Sequence, residues 1–282
     1  MLTRRQLITW GVSALAAAPP GALLYAWLVE PHWLDITSPE LPIRGLPPDL
    51  AGRTLAHLSD LHIGPKVSDD YIDRTFARIA QLQPDFVVCT GDWITYRGRA
   101  QLERLERRLA GMPRGRLGTV GILGNHDYGR GWRMENVAQQ VTSIATRAGV
   151  TMLRNQAATF AGLQFLGLED LWGPNFGPGG LLERHGGAAA TLVLCHNPDA
   201  ADRPVWGAYQ GWILAGHTHG GQCKPPFLPP PVLPVQNRRY TAGAIRVNER
   251  RTLYISRGVG HLRRVRFNVR PEVPVFRLRR SE

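Results

Sequence analysis

Five apolar runs in this chain each end in a cluster of Asp, Asn or His, and that recurrence constrains the fold more than any other feature. Arg53-Thr54-Leu55-Ala56-His57-Leu58 runs into Ser59-Asp60-Leu61-His62, and Phe86-Val87-Val88-Cys89-Thr90 runs into Gly91-Asp92. Thr119 to Leu123 ends in Gly124-Asn125-His126-Asp127, and Thr191 to Cys195 ends in His196-Asn197-Pro198-Asp199. Gly211 to Ala215 ends in Gly216-His217-Thr218-His219. A buried strand of a parallel sheet delivers polar groups in this way to its carboxyl end, where open α/β folds bind ligands. Gly124 adds a sharp backbone turn and room for close approach, because it lacks a Cβ.

Helical patterns separate the first of these strands. Ser68 to Gln81 spaces Tyr71, Ile72, Phe76 and Ile79 along one helix face, with Ser68 as N-cap. Arg99 to Ala110 is a charged amphipathic helix stopped by Gly111 and Pro113, and Glu135 to Ala148 is a third. Strand and helix in alternation predict βαβ units. After Gly149 the texture changes: Val150–Leu153, Ala158–Phe160 and Gln164–Leu168 read as short strands that open a second sheet. Leu171 to Gly187 reads as a loop over the site, and Lys224 to Pro234 is too rich in proline for a sheet interior. The tail alternates Val265, Phe267 and Val269 with Arg264, Arg266 and Arg270, which predicts a half-exposed strand with a basic outer face.

With 282 residues, 43% of them hydrophobic, the chain is long enough for one large domain with its own core. Its net charge of +12 suits anionic partners. The basic residues gather in Arg263-Arg264-x-Arg266 and Arg277-x-Arg279-Arg280, with only Phe267 and Phe276 as neighbouring aromatics. That pattern fits an anionic membrane surface better than stacked bases, so no nucleic acid is expected. Cys89, Cys195 and Cys223 form no paired framework, and the first two read as buried thiols.

Arg4-Arg5 precede a run from Gln6 to Val29 without a charged residue, interrupted by Pro19-Pro20. Residues 1–30 read as an uncleaved signal anchor or a twin-arginine-like export signal, with a buried hairpin of the main domain as the alternative. Positive charge ahead of the run places the rest of the chain outside the cytoplasm, on the outer face of a bacterial inner membrane. Residues 31–50 read as a proline-rich linker that includes an edge strand near Trp33–Ile36, leaving 51–282 as the main domain.

The polar groups at the strand ends are Asp60, His62, Asp92, Asn125, His126, His196, His217 and His219. Mixed oxygen and imidazole donors in this number suit two divalent transition ions, such as Mn, Fe or Zn, better than one structural zinc. Asp-x-His and His-x-His present both side chains to one site, since alternate residues of extended chain share a face. A carboxylate between two ions can bridge them. Glu169-Asp170 also ends a strand and reads as a turn.

The ordered set Asp60-x-His62, Gly91-Asp92, Gly124-Asn125-His126-Asp127, His196 and Gly216-His217-x-His219 resembles the calcineurin-like metallophosphoesterases across roughly residues 53 to 260. The resemblance implies a four-layer αββα sandwich of two mixed β-sheets flanked by helices, preceded here by the N-terminal apolar segment. It implies that Asp60, His62 and His219 bind one ion, that Asn125, His196 and His217 bind the other, and that Asp92 bridges. His126 matches the family's non-ligand histidine, and Asp127 would orient it or else cap the turn. The words around these residues resemble a bacterial branch with a membrane-directed N-terminus. The arginine that follows the Asn-His pair in phosphoprotein phosphatases is replaced by Tyr128-Gly129, which argues against a serine/threonine phosphatase.

The resemblance thus implies a hydrolase of phosphoric esters: a hydroxide bridging the two metal ions attacks phosphorus, and His126 protonates the leaving oxygen. A phosphodiesterase is the leading expectation. Alternatives are a pyrophosphatase acting on a lipid-linked nucleotide sugar such as UDP-2,3-diacylglucosamine, and a catalytically silent metal-binding module. Nothing in the sequence fixes an oligomeric state.

Overall fold

The computed structural model describes residues 20–188 and 190–281. Its first sheet takes β1 (Asp35–Thr37), β2 (Glu40–Arg44), β3 (Thr54–Leu58), β4 (Phe86–Cys89), β5 (Gly118–Gly121) and β6 (Thr151–Met152). The second takes β7 (Gln156–Phe160), β8 (Leu163–Gly167), β9 (Thr191–Leu194), β10 (Gly211–Ala215), β11 (Gly243–Arg246) and β12 (Arg251–Ile255). The chain then returns to the first sheet as β13 (Glu272–Ser281). The first sheet runs β1-β13-β3-β4-β5-β6, with β2 also on β13, and the second runs β11-β12-β10-β9-β8-β7. Strands β3 to β6 are parallel while β13 is antiparallel to β3. In the second sheet β8, β9, β10 and β12 are parallel, flanked by antiparallel β7 and β11. Both sheets are mixed, as expected.

Helices α1 (Asp69–Gln81), α2 (Arg99–Leu109), α3 (Glu135–Arg147) and α4 (Gly179–His185) complete the layers. Phe76, Ile79, Leu105 and Val141 from α1 to α3 pack on Ala56, Leu58, Val87 and Cys89 of the first sheet. The opposite face turns Leu55, Phe86, Val88 and Phe276 against Phe165, Leu192, Leu194 and Leu214 of the second sheet. Burial on both faces explains why β4 and β9 are continuous apolar runs rather than alternating ones. Outside the second sheet the helical layer is thin: α4 with Leu181 and Leu182, then Ala200, Ala201 and Trp206. Ser68 caps α1 by accepting from the Tyr71 N–H at 3.2 Å, a contact of about 1 kcal/mol.

Four expectations are corrected here. Residues 31–50 hold more than a linker with the edge strand expected near Trp33–Ile36, which is β1: β2 also pairs with β13 and turns Leu41 and Ile43 into the core. Pro42 is tolerated because β2 lies at an edge. Val150–Leu153 does not open the second sheet; β6 pairs in parallel with β5, since the α3 crossover returns the chain to the sheet it left. The stretch 171–187 holds α4 as well as loop. The basic tail is not a strand at Arg264–Arg270, and Arg266 is fully buried. Its guanidinium donates to carbonyls of Arg257 (2.9 Å), Gly258 (3.2 Å), Gly260 (2.7 Å) and Val269 (3.2 Å), which replaces the hydration it gives up.

The part of the N-terminal expectation that rests on Arg4, Arg5 and the run up to Pro19 lies outside the described residues. From Pro20 to Val29 the chain is helical. Among the described residues no helix is long and apolar enough to cross a membrane.

Candidate metal centre

Pairing between β3 and β4 does not stop where the strands do. Asp60 N–H donates to the Gly91 carbonyl (3.0 Å) and His62 N–H to that of Asp92 (2.9 Å), so both polar tips advance together. The backbone then takes positive φ at Asp60 (54°), His62 (46°), Asp92 (54°), His217 (72°) and His219 (50°). Non-glycine residues in that region cost of order 1–3 kcal/mol each and gather at functional sites. Two glycines make the crowding possible. A Cβ on Gly124 would lie 2.3 Å from Asp92 Oδ1, and one on Gly216 would lie 2.3 Å from Asp60 Oδ2.

These turns bring together two donor groups, Asp60/His62/His219 and Asp92/His196/His217, each with its ligand atoms within 4.8 Å of one another. His62 Nε2 is 3.0 Å from His219 Nε2, and His196 Nε2 is 3.2 Å from His217 Nδ1. Asn125 Oδ1 is 3.0 Å from His217 Nδ1, joining the second group. Asp92 Oδ2 stands between the groups, 3.2 Å from His196 Nε2 and 3.5 Å from His62 Nε2.

The donor chemistry fits cations. His196 Nδ1 donates to the Thr90 carbonyl (2.7 Å) and His217 Nε2 to the Pro234 carbonyl (2.9 Å). A carbonyl only accepts, so those nitrogens carry the protons, and in the neutral rings His196 Nε2 and His217 Nδ1 present bare lone pairs to each other. Burial pushes His62 and His217 down to about 3 and His219 well below the usual imidazole value, which keeps these rings neutral. Burial also depresses His196, but Asp92 outweighs it and raises His196 well above that value. Asp92 is held well below the carboxylate range, because His196 and His126 overcome its burial. A proton on His196 thus sits where a metal cation would compete for the same electrons.

His126 belongs to neither group. Its backbone N–H donates to Asp92 Oδ1 (2.9 Å), and its half-buried ring stands edge-on to His62 with centroids 5.1 Å apart. It lines a cleft of about 660 Å³ whose walls include Trp132, Trp172, Val232, Leu262 and Val265. The expected orienting contact from Asp127 is corrected: its oxygens accept from the N–H groups of Ile94 (3.1 Å) and Gly124 (2.8 Å). Asp127 caps the turn that carries Asn125 and His126, and burial raises its carboxyl well above the usual range.

Several residues at the centre carry no motif of their own. Thr90 Oγ1 donates to Ser59 Oγ (2.8 Å), and Ser59 Oγ donates to Asp60 Oδ2 (2.6 Å). Their only signal is that they precede Asp60 and Gly91-Asp92 directly. Trp172 stacks on Trp132 (4.9 Å) and meets His217 edge-on (4.4 Å), a contact between two loops without periodicity. Asp170 is a turn residue as expected, accepting from Trp172 N–H (2.8 Å), but its second oxygen is buried without a partner among the described residues. Burial pushes Asp170 up to about 6.

Two mixed sheets packed face to face, with two adjacent donor groups at their strand ends, define the class. Residues 53–221 match the calcineurin-like phosphoesterase family, and the chain belongs to it. It is 31% identical to the metallophosphoesterase YkuE of Bacillus subtilis, over 99% of this chain and 98% of that protein. It is 29% identical to the phosphodiesterase YaeI of Escherichia coli, over 99% of this chain and all of that one. Identity to the UDP-2,3-diacylglucosamine pyrophosphatase LpxG of Chlamydia trachomatis is 25%, over 96% of this chain and 97% of that one. The protein is a metal-dependent phosphoesterase, a hydrolase of phosphoric ester bonds, and its paired donor groups point to a dinuclear centre.

Proposed function

We propose that the chain is a phosphodiesterase in which Asp60, His62 and His219 hold one divalent ion and Asn125, His196 and His217 hold the other, with Asp92 shared. The observation that carries this reading is the convergence of imidazole nitrogens from both donor groups on Asp92 Oδ2. Ions of the Mn, Fe or Zn type lower the pKa of water towards ~7 and neutralise phosphoryl oxygens when bound. The protein's own part is placement. Asp92 fixes the His126 backbone, and that ring faces the cleft where the leaving group lies. In the reaction a water oxygen bonds to phosphorus and releases one proton to solvent, the bond from phosphorus to the leaving alcohol breaks, and protonated His126 gives that alcohol its proton and is reprotonated from solvent. The apolar walls of the cleft, Trp132, Trp172, Val232 and Leu262, offer room for organic substituents on the phosphoryl group, which favours a diester over a monoester.

A second reading is supported by the likeness to LpxG and by those same walls: cleavage of the pyrophosphate of a lipid-linked nucleotide sugar. For either reading, residues 1–30 would tether the domain at the bacterial inner membrane, with its outer face as the address. The test of chemistry is full-length protein reconstituted with Mn and assayed on bis-p-nitrophenyl phosphate and p-nitrophenyl phosphate. Faster diester cleavage is expected; faster monoester cleavage overturns the diesterase reading, and no cleavage of either favours the pyrophosphatase reading.

A further inference from the structure

We infer that the apolar rim of the catalytic cleft is a docking surface for a bilayer with anionic head groups. The rim is built from three segments. The helical stretch 20–29 buries Ala26 and turns Leu23 (71% exposed), Leu24, Trp27 and Leu28 to solvent. The proline-rich loop adds Phe227, Leu228 and Val232 (72% exposed), and the former tail adds Leu262. They are one surface. A groove lined by Tyr25, Glu30, Lys224 and Phe227 joins the first two segments. Val232 and Leu262 also line the catalytic cleft, so the exposed patch and the cleft mouth share an edge.

This arrangement is held, not loose. Arg266 N–H donates to the Ala26 carbonyl (2.9 Å), and the Glu30 carboxylate accepts from Asn268 N–H (2.9 Å). The backbone of 26–30 is therefore clamped to 266–269 while its apolar side chains point outward. A helix that is apolar on its exposed face is poorly matched to water, and contiguous exposed apolar surface marks an interaction site.

Charge identifies the occupant. Arg264 stands over the Trp27 ring (5.8 Å) and Arg270 over that of Trp33 (4.9 Å), with exposed Arg263 beside Leu262. Tryptophan, arginine and aliphatic side chains together match the boundary between head groups and acyl chains. Basic residues at such a boundary favour anionic lipid. A diester bearing an acyl chain would then reach the metal centre from the bilayer without crossing bulk water. The inference builds on the proposed membrane tether, and its test separates the two.

Hydrogen exchange of the full-length protein is measured with phosphatidylglycerol vesicles, phosphatidylcholine vesicles and no vesicles. Slowed exchange at Phe227, Leu228, Val232 and 261–266 with phosphatidylglycerol is expected. Phe227→Ser with Leu228→Ser should weaken vesicle binding by on the order of tenfold or more. Hydrolysis of a soluble diester by that variant should be unchanged. Protection confined to 1–30 overturns the docking surface and leaves the tether standing. Equal protection by phosphatidylcholine overturns the anionic assignment. Protection that grows with protein concentration without vesicles assigns the surface to a second copy and overturns the inference.

Discussion

Both ends of the first sheet are lined with polar side chains, and they solve opposite problems. At the amino end Asp85 accepts from Thr54 N–H (2.8 Å), Thr54 Oγ1 (3.1 Å), Arg53 (3.3 Å) and Arg116 (2.7 Å), locking the starts of β3, β4 and β5. Each of those donors is matched to a carboxylate oxygen, and none of these residues has positive φ. At the carboxyl end, where the strand ends of the second sheet join it, imidazole nitrogens crowd one another, five backbones are left-handed, and among the described residues Asn125 Nδ2 and Asp170 Oδ2 are buried without partners. The first arrangement is complete without a ligand and serves stability. The second fits a cation and serves chemistry.

Asp92→Ala tests this contrast most severely. Removing the carboxylate that touches both groups should abolish turnover and drop metal content below two ions per chain, read by elemental analysis. Two bound ions with normal turnover would sink the assignment of Asp92 as the shared ligand. His126→Ala should keep both ions and lose on the order of 10²–10⁴-fold in turnover, most of all with poor leaving groups. A metal-poor variant would show that His126 belongs among the ligands.

Asp85→Ala should do the reverse: about 2–3 kcal/mol less stability by urea unfolding, with turnover per folded molecule intact. The same residue gives the acid side a sign. Burial pushes Asp85 up, but hydrogen bonds from Thr54 and Arg116 outweigh it and hold the carboxyl below its usual value. Its stabilisation is therefore present above the unfolded pKa of about 4 and lost as pH falls through the lower folded value. Wild type minus Asp85→Asn stability, measured from pH 6 to 2.5, should shrink in that window; a flat difference would break the contrast. Ser68→Ala should give the smallest effect, about 1 kcal/mol of stability, with no change in metal content.

The contrast also explains what the sequence could tell. Asp60, His62, Asp92, Asn125, His196, His217 and His219 were legible because strand-end motifs put polar residues directly after apolar runs. The α1 cap at Ser68 was legible because it depends on neighbours three residues apart. Arg266 was not, because four carbonyls from the 257–269 segment bury it, and alternation alone made it an outer residue. The orienting role expected of Asp127 failed for a related reason. Adjacency to His126 in sequence does not fix where a carboxylate points, and two backbone N–H groups claimed it. β1 was legible as the edge strand near Trp33–Ile36, whereas β2 was hidden by Pro42, which an edge position tolerates.

One feature of the first sheet bears on how the protein comes into being. β13 lies between β3 and the edge strands, with Val275 opposite Ala56. While the ribosome is still making the second sheet, β3 offers an open row of N–H and C=O groups to any strand it meets. Contacts so distant in sequence form slowly. The newborn chain therefore spends the whole translation of the second sheet exposed to misassembly, and a chaperone that shields β3 until β13 emerges would raise its yield.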